Sequence, residues 1–255
     1  MHPILFRWGP FALHTYGLFA ALGFLAGYAL ATALARRRKV SPDIVGDALA
    51  PILVGGLLGA RTFYVFFHLS EFSGAWLDAV KIWQGGLMWQ GSFVGGVLAM
   101  ALFLRRRNLP FLPMADLFAP AAALGQAVGR VGCLFAGCCY GRTCDLPWAV
   151  TFRHPESLAP TGMDLHPTQL YDSALNLCIA TVLWGLSRRP WSDRGGRLAG
   201  LYLMMAGAAR LLVEPFRADA RGAGLWIFSA TGLMALGLLT AGTALLFHLR
   251  PRGNP

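Results

Sequence analysis

An arginine and three cysteines lie close together in the stretch GRVGCLFAGCCYG, which runs from Gly129 to Gly141. Arg130 stands within a largely apolar segment, and Cys133, Cys138 and Cys139 follow it. A guanidinium binds phosphate or carboxylate through two parallel hydrogen bonds. A thiol becomes a nucleophile when it loses its proton, and a nearby positive charge favours that loss. This stretch therefore places an anion-binding group beside candidate nucleophiles.

The composition of the chain indicates which elements position these groups. Of its 255 residues, 56% are hydrophobic and 13% are charged, and the mean hydropathy is +0.52. Such a chain belongs in a bilayer, where a spanning helix needs about 20 mostly apolar residues. Seven segments approach that length, and they are Tyr16–Ala35, Asp47–Phe67, Gly85–Leu104, Met114–Phe135, Pro167–Ser187, Arg197–Phe216 and Leu225–Phe247.

Basic clusters give the expected orientation of these segments. They fall on alternate connections, at residues 36–39, 105–107, 188–197 and 250–252, and the positive-inside rule places such clusters in the cytoplasm. We therefore expect an all-α integral membrane protein with seven transmembrane helices, the N-terminus outside and the C-terminus cytoplasmic. Because the positive charge lies in separate membrane-flanking clusters, it argues against nucleic-acid binding. No cleavable signal peptide is evident, since the first apolar run lacks a preceding basic region.

The domain organisation follows from the connections. No internal repeat is evident, so we expect a single transmembrane domain, 1–255. One outer connection, residues 136–166, is long enough to form a small external cap between the fourth and fifth helices, and it contains three prolines.

Polar residues from six of the predicted helices fall near the same outer level. Ionisable residues within spans usually face the bundle interior and mark functional sites. Three arginines against one glutamate leave surplus positive charge, which predicts a phospholipid phosphate as the missing anion. Each residue also has a simpler explanation, such as an i, i+4 ion pair for Arg210 and Glu214, snorkelling for Arg61, or a helix-end position for a histidine. The candidate residues are His14, Tyr16, Arg61, Gln90, Arg130, His166, Gln169, Tyr171, Arg210 and Glu214.

Six segments, in order along the chain, carry a family resemblance. They are GPFALHTYGL from Gly9, GGLLGARTFYVFF from Gly55, GGLMWQGSFVGG from Gly85, GRVG from Gly129, HPTQLYDS from His166 and RLLVEPFR from Arg210. With these segments the chain resembles the prolipoprotein diacylglyceryl transferase family. The resemblance implies a bacterial multi-pass enzyme of the cytoplasmic (inner) membrane, which moves diacylglycerol from phosphatidylglycerol, or another anionic phospholipid, to a cysteine in the signal peptide of a lipoprotein precursor.

The resemblance also implies roles for individual residues. Arg130, Arg210 and Glu214 would serve lipid binding and charge control, while His14 and Tyr16 would line the site. Four positions depart from the family pattern, with Cys133 for asparagine, Cys138 for glutamate, Gln90 for histidine and Ala206 for tyrosine. Since an amide is no general base near neutral pH, proton removal must happen elsewhere than at Gln90. A divergent relative that uses the same donor with another acceptor is therefore also open.

Four interpretations fit the cysteines Cys133, Cys138, Cys139 and Cys144. They are disulfides, if the loop faces an oxidising exterior; packing of small thiols; a catalytic thiol, with Cys133 and Cys138 as candidates; and a zinc site. The zinc site is the weakest of the four on spacing, because the x4 intervals are loose and His154 is the one nearby imidazole. We therefore expect no metal and no cofactor.

Two other functions fit parts of the pattern. A membrane thiol-disulfide redox protein would use the cysteines, although the chain has no C-x-x-C pair. A lipid-binding membrane protein without chemistry would fit the replacement of the family histidine.

Overall fold

The computed structural model describes residues 2–9, 11–72, 74, 76–218 and 230–250. The fold is mostly helical, with short 3₁₀ turns in several connections. In chain order its elements are β1 (Ile4–Trp8), β2 (Phe11–His14), α1 (Thr15–Arg37), α2 (Pro42–Phe67), α3 (Trp89–Arg106), α4 (Phe111–Ala136), β3 (Val150–Thr151), β4 (Asp164–Leu165), α5 (Thr168–Leu186), α6 (Arg197–Val213) and α7 (Ala230–His248).

Five helices of the described part of the chain are long and apolar enough to cross a membrane. They are α1, α2, α4, α6 with its following turn, and α7. The first residues of the segment predicted from Leu225, 225–229, lie outside the described residues. The structure thus supports an integral membrane protein.

The other two predicted spans, Gly85–Leu104 and Pro167–Ser187, also form helices, but these helices are less apolar than the five. Gly85 and Gly86 have φ of +86° and +67°, so α3 begins only at Trp89 and already ends on arginines. The helix α5 has the length but carries polar side chains inside it, at Gln169, Asp172 and Asn176, and all three are buried. Polar residues on a helix lower its hydropathy even when they face protein.

The mostly helical structure is consistent with the expected all-α membrane protein, and two small antiparallel sheets lie outside the predicted spans. β1 pairs with β2 through Arg7 opposite Ala12 and Trp8 opposite Phe11, and β3 pairs with β4. Gly9 supplies a φ of +57° at the end of the first strand, a conformation that glycine adopts at little energetic cost. His14 therefore ends a strand, and α1 starts one residue later.

The contacts group the chain into two compact units. One comprises the described residues within 1–34 and 115–255, and the other is Ala35–Met114. The divisions fall inside α1 and α4.

Close glycine contacts hold the two helices of the unit Ala35–Met114 together. A Cβ on Gly55 of α2 would lie 2.7 Å from the carbonyl oxygen of Gly95 in α3, and a Cβ on Gly91 would overlap the carbonyl oxygen of Gly59. In lipid, where apolar burial between helices gives little driving force, small residues at four-residue spacing permit this close van der Waals contact.

The larger unit has the same kind of helix contact, and it also has a buried carboxylate that caps the start of α6. A Cβ on Gly23 of α1 would lie 2.7 Å from the carbonyl oxygen of Gly125 in α4. Asp116 of α4 is fully buried, and its two carboxylate oxygens accept hydrogen bonds from the backbone N–H groups of Gly196 and Ala199, at 2.9 and 2.8 Å. This carboxylate satisfies donors at the start of α6 and fixes α6 against α4.

The connection between α4 and α5, which we call the cap, contains a small core of its own. Phe152, Ala159 and Leu165 are buried in it and pack with Leu134 of α4. An exposed ion pair of 2.7 Å joins Arg7 of β1 to Glu156 of the cap. The cap therefore packs directly on the end of α4, where the cysteines begin.

Candidate active site

A shared carboxylate brings two arginines together in the larger unit. The Nε atom of Arg130, on α4, lies 3.3 Å from Oδ2 of Asp172 on α5. The Nη1 atom of Arg217, just after α6, lies 3.4 Å from the same oxygen. The side chains of Asp172 and Arg217 are buried, and that of Arg130 is 24% exposed. Two guanidiniums and one carboxylate leave a net charge of about +1 in a largely water-free place, where charge interactions are strong.

This arrangement changes the charge count made from the sequence. That count set three arginines against Glu214 and included neither Asp172 nor Arg217. Glu214 lies 2.5 Å from Arg210, so the simple i, i+4 pair is formed, and Arg210 Nη2 also donates to Thr231 Oγ1 at 3.1 Å. The charge of Arg210 is thus offset by its neighbour on the chain.

Three thiols form a cluster at the end of α4. The Sγ atoms of Cys133, Cys138 and Cys139 all lie within 4.8 Å of one another. All five cysteines are free thiols, so the disulfides considered from the sequence are not formed in this structure. Cys144 lies outside the cluster, and Cys178 is exposed on α5.

The first residues of α5 hold the cysteine loop in place. Thr168 Oγ1 donates to the carbonyl oxygen of Cys139 at 2.7 Å, and Gln169 Nε2 donates to that of Cys138 at 2.8 Å. Both side chains are fully buried. The loop follows the helix through Gly137, whose φ is +76° and whose Cβ position would collide with Ser157 of the cap. The predicted substrate residue Gln169 thus holds the carbonyl group of Cys138 in this structure.

The loop thiols differ in their acidity. The pKa of Cys139 is lowered from its ordinary value because the thiols of Cys133 and Cys138 donate hydrogen bonds to its sulfur, with Arg130 and Arg217 adding positive charge. The pKa of Cys138 is raised because its hydrogen-bonding interactions with the thiols of Cys133 and Cys139 favour the protonated form. The positive charge of the two arginines therefore favours the thiolate form of Cys139.

Tyr16 lies beside the same cluster. A Cβ on Gly132 of α4 would lie 3.3 Å from the Cα of Tyr16, and the phenol interacts electrostatically with Cys133 and Arg130. His14 is exposed at the end of β2, two residues before it. The structure thus brings Tyr16, Arg130 and the thiols together.

His166 and Tyr171 belong to an aromatic group where the cap joins α5. His166 Nδ1 lies 3.3 Å from the hydroxyl oxygen of Tyr171, and that oxygen accepts a 2.8 Å hydrogen bond from Trp148 Nε1. The ring of Phe216 lies 5.1 Å from the His166 ring. Since Phe216 precedes Arg217, this group packs next to the charged cluster.

The chain matches the protein family described as prolipoprotein diacylglyceryl transferase over residues 3–248. The chain belongs to this family. A relative from Trichormus variabilis, called phosphatidylglycerol--prolipoprotein diacylglyceryl transferase, is 36% identical over 261 residues, covering 99% of this chain and 92% of the relative. Relatives of the same name from Gloeobacter violaceus and Clostridium tetani are 37% and 33% identical, covering 85% and 87% of this chain and 82% and 88% of their own. The predicted membership is confirmed.

The remaining two predicted residues of this family member lie in the unit Ala35–Met114. Arg61 is buried and donates four hydrogen bonds to backbone carbonyls, to Ala79 at 2.8 Å, Asp78 at 2.6 Å, Gly85 at 2.7 Å and Gly86 at 3.1 Å. This set organises the connection between α2 and α3, which favours a positioning role over phosphate binding. Gln90 is half-buried in the first turn of α3.

Sequence reasoning missed Asp172 and Arg217, although both stand inside segments that carry the family resemblance. One signal was available for Asp172: a carboxylate in an apolar helix requires a partner. The partner of Arg217 is not predictable from spacing, because Arg217 follows the end of a different helix.

Proposed function

We propose that this chain transfers diacylglycerol from phosphatidylglycerol to the cysteine thiol of a lipoprotein precursor. The observation that carries the proposal is the net positive cluster of Arg130, Asp172 and Arg217 beside the three thiols. The names of the curated relatives state this activity for those proteins.

The donor is recognised through its phosphate. Arg130 and Arg217 meet at one carboxylate oxygen, and a phosphodiester carries the same single negative charge with planar pairs of acceptor oxygens. Arg130 is the more exposed of the two, so it is the group that a lipid headgroup reaches first. Tyr16, at the start of α1, supplies a hydroxyl on the same side of α4.

The reaction is a displacement at carbon. The acceptor thiolate attacks the glycerol carbon that bears the phosphate oxygen, a carbon–sulfur bond forms, and the carbon–oxygen bond breaks. Glycerol phosphate leaves with that electron pair. The developing negative charge on the leaving phosphate is stabilised by Arg130, which is held in place beforehand by Asp172.

The orientation in the membrane completes the proposal. The seven helices span the cytoplasmic membrane of a bacterium, with the N-terminus and the cap outside and the basic clusters inside. The end of α4 then lies near the outer headgroups, where an exported precursor and the phospholipid both reach it.

Mass spectrometry of a lipoprotein precursor tests the function. The purified full chain is incubated with the precursor and with phosphatidylglycerol, and the expected product gains one diacylglyceryl group on its cysteine. Phosphatidylethanolamine as donor and a precursor with serine for that cysteine are the controls. A correctly folded chain that gives no mass gain with phosphatidylglycerol would contradict the proposal.

A further inference from the structure

The thiol cluster has the dimensions of a metal site. In tetrahedral zinc–thiolate sites the Zn–S distance is about 2.3 Å, which places neighbouring sulfurs about 3.8 Å apart. The Sγ atoms of Cys133, Cys138 and Cys139 are within 4.8 Å of one another, so small side-chain movements suffice to coordinate one ion.

The backbone of the loop is arranged so that these sulfurs converge. Successive side chains of an extended chain point to opposite faces, yet the adjacent residues Cys138 and Cys139 both reach Cys133. Cys139 adopts a φ of +60°, which is unfavourable for a non-glycine residue. Hydrogen bonds from the buried side chains of Thr168 and Gln169 hold this conformation. Packing of small thiols does not require a strained, doubly anchored loop.

We propose that Cys133, Cys138 and Cys139 bind one zinc ion as thiolates and that the acceptor cysteine of the precursor takes the fourth coordination position. The second half of this proposal rests on the proposed function; the first half does not. Zinc sites that act in catalysis keep one position open in this way. Zinc fits a thiol transfer better than other thiolate-binding metals because it has no redox chemistry of its own.

The zinc ion would supply the acceptor in its reactive form. A thiol that coordinates a metal is deprotonated outright, so the acceptor S–H loses its proton to water on binding. The zinc-bound sulfur then forms its bond to the glycerol carbon while the carbon–oxygen bond to phosphate breaks, and glycerol phosphate leaves with the electron pair. The thioether product carries no charge on sulfur and dissociates from the ion. No oxidant or reductant is needed.

The neighbouring charges suit such a site. Three thiolates and Zn²⁺ sum to about −1, and the adjacent Arg130, Asp172 and Arg217 sum to about +1. The site would also bring the two substrates together, because the acceptor sulfur would bind next to the guanidiniums that hold the donor phosphate. The expectation of no metal, made from loose sequence spacing, did not include this convergence.

Metal analysis of the purified full chain tests the site itself. After expression with added zinc, we expect about one zinc per chain, lowered at least ~10-fold by Cys133→Ser, Cys138→Ser or Cys139→Ser. Cys144→Ser and Cys178→Ser are matched controls, because neither sulfur is in the cluster, and both variants should keep the metal. Wild type without zinc, or cluster variants that retain it, would overturn the proposal, and size-exclusion profiles identify any variant that fails to fold.

X-ray absorption at the zinc edge tests the open position without requiring turnover. We expect three sulfur neighbours in the zinc-loaded chain and four after addition of a precursor peptide, with no change for a peptide that has serine in place of the cysteine. Four sulfurs before the peptide, or three after it, would overturn the acceptor role. A chain that transfers diacylglycerol but binds no zinc refutes the metal site alone. A chain that binds zinc and peptide but makes no product with phosphatidylglycerol refutes the proposed function and leaves the site standing.

Discussion

At the level of single residues, the site depends on one carboxylate oxygen that two guanidiniums share. Asp172 Oδ2 is 3.3 Å from Arg130 and 3.4 Å from Arg217. A single acceptor oxygen cannot give Arg130 a full bidentate partner, so this guanidinium can still bind a second anion. Asp172 therefore holds the arginines close together without cancelling their combined charge.

Replacement of Arg130 tests whether this charge acts in the reaction. Arg130→Ala should lower transfer from phosphatidylglycerol by about 10²–10³-fold, because a prearranged donor for the leaving phosphate is lost. The rate of precursor modification, followed by mass, gives the effect. Arg153→Ala is the matched control, since Arg153 is an exposed arginine of the cap, and it should leave the rate unchanged. Normal turnover by Arg130→Ala would remove this residue from the mechanism.

Replacement of Asp172 tests the shared pairing. Asp172→Asn keeps the shape but leaves two largely buried arginines without their carboxylate, which should destabilise the chain by about 3 kcal/mol. Thermal unfolding in detergent measures this. Added phosphatidylglycerol should stabilise the variant more than wild type, because its phosphate replaces the lost charge.

The control for Asp172→Asn is Asp145→Asn in the exposed part of the cap, for which we expect no change in unfolding temperature. If phosphatidylglycerol stabilised the Asp172 variant no more than wild type, the arginines would not bind its phosphate.

At the level of elements, the helices follow from the sequence because long apolar runs flanked by arginines permit few alternatives in lipid. The segment Tyr16–Ala35 was predicted and α1 covers Thr15–Arg37, while Met114–Phe135 corresponds to α4 at Phe111–Ala136. The hydropathy of a segment does not show where glycines interrupt a helix. The sequence therefore predicts a span from Gly85, whereas α3 begins four residues later, at Trp89.

The thiol cluster was beyond sequence reasoning for a different reason. Cys133 lies on a helix and Cys138 and Cys139 on a loop, and only the loop backbone decides whether their sulfurs meet. That backbone depends on hydrogen bonds from Thr168 and Gln169, which stand about 30 residues away in the sequence. Contacts of this kind leave no periodic pattern, so the sequence leaves disulfides, packing of thiols, a catalytic thiol and a zinc site all open.

The glycine contact between α2 and α3 gives a prediction at this level. Gly91→Ala should destabilise the chain by about 1–3 kcal/mol, because its Cβ would overlap backbone atoms of Gly59 that cannot move aside. Gly237→Ala on α7 has open space around the new Cβ and should stabilise by about 0.5 kcal/mol through lower chain entropy in the unfolded state. The unfolding temperature should thus fall for Gly91→Ala and rise for Gly237→Ala. Equal shifts of the two variants would contradict the close packing of α2 against α3.

At the level of the whole molecule, the direction in which the chain crosses the membrane decides where its site is placed. The helix α4 is long and apolar enough to cross a membrane. Its end and the cap would then lie on the opposite side of the membrane from the connection between α3 and α4. Arg105 and Arg106 end α3 at that connection, whereas the cap carries both acidic and basic residues. The charge difference favours the connection as the cytoplasmic side.

Fusions to alkaline phosphatase, which folds only after export, test this orientation. A fusion after Glu156 of the cap should be active, and fusions after Arg107 or Arg194 should be inactive, because the positive charge at those sites holds them in the cytoplasm. Levels of each fusion, measured by immunoblotting, control for expression. Activity after Arg107 together with none after Glu156 would place the arginines and thiols at the inner face. An exported precursor could not reach them there, and the proposed acceptor would be ruled out.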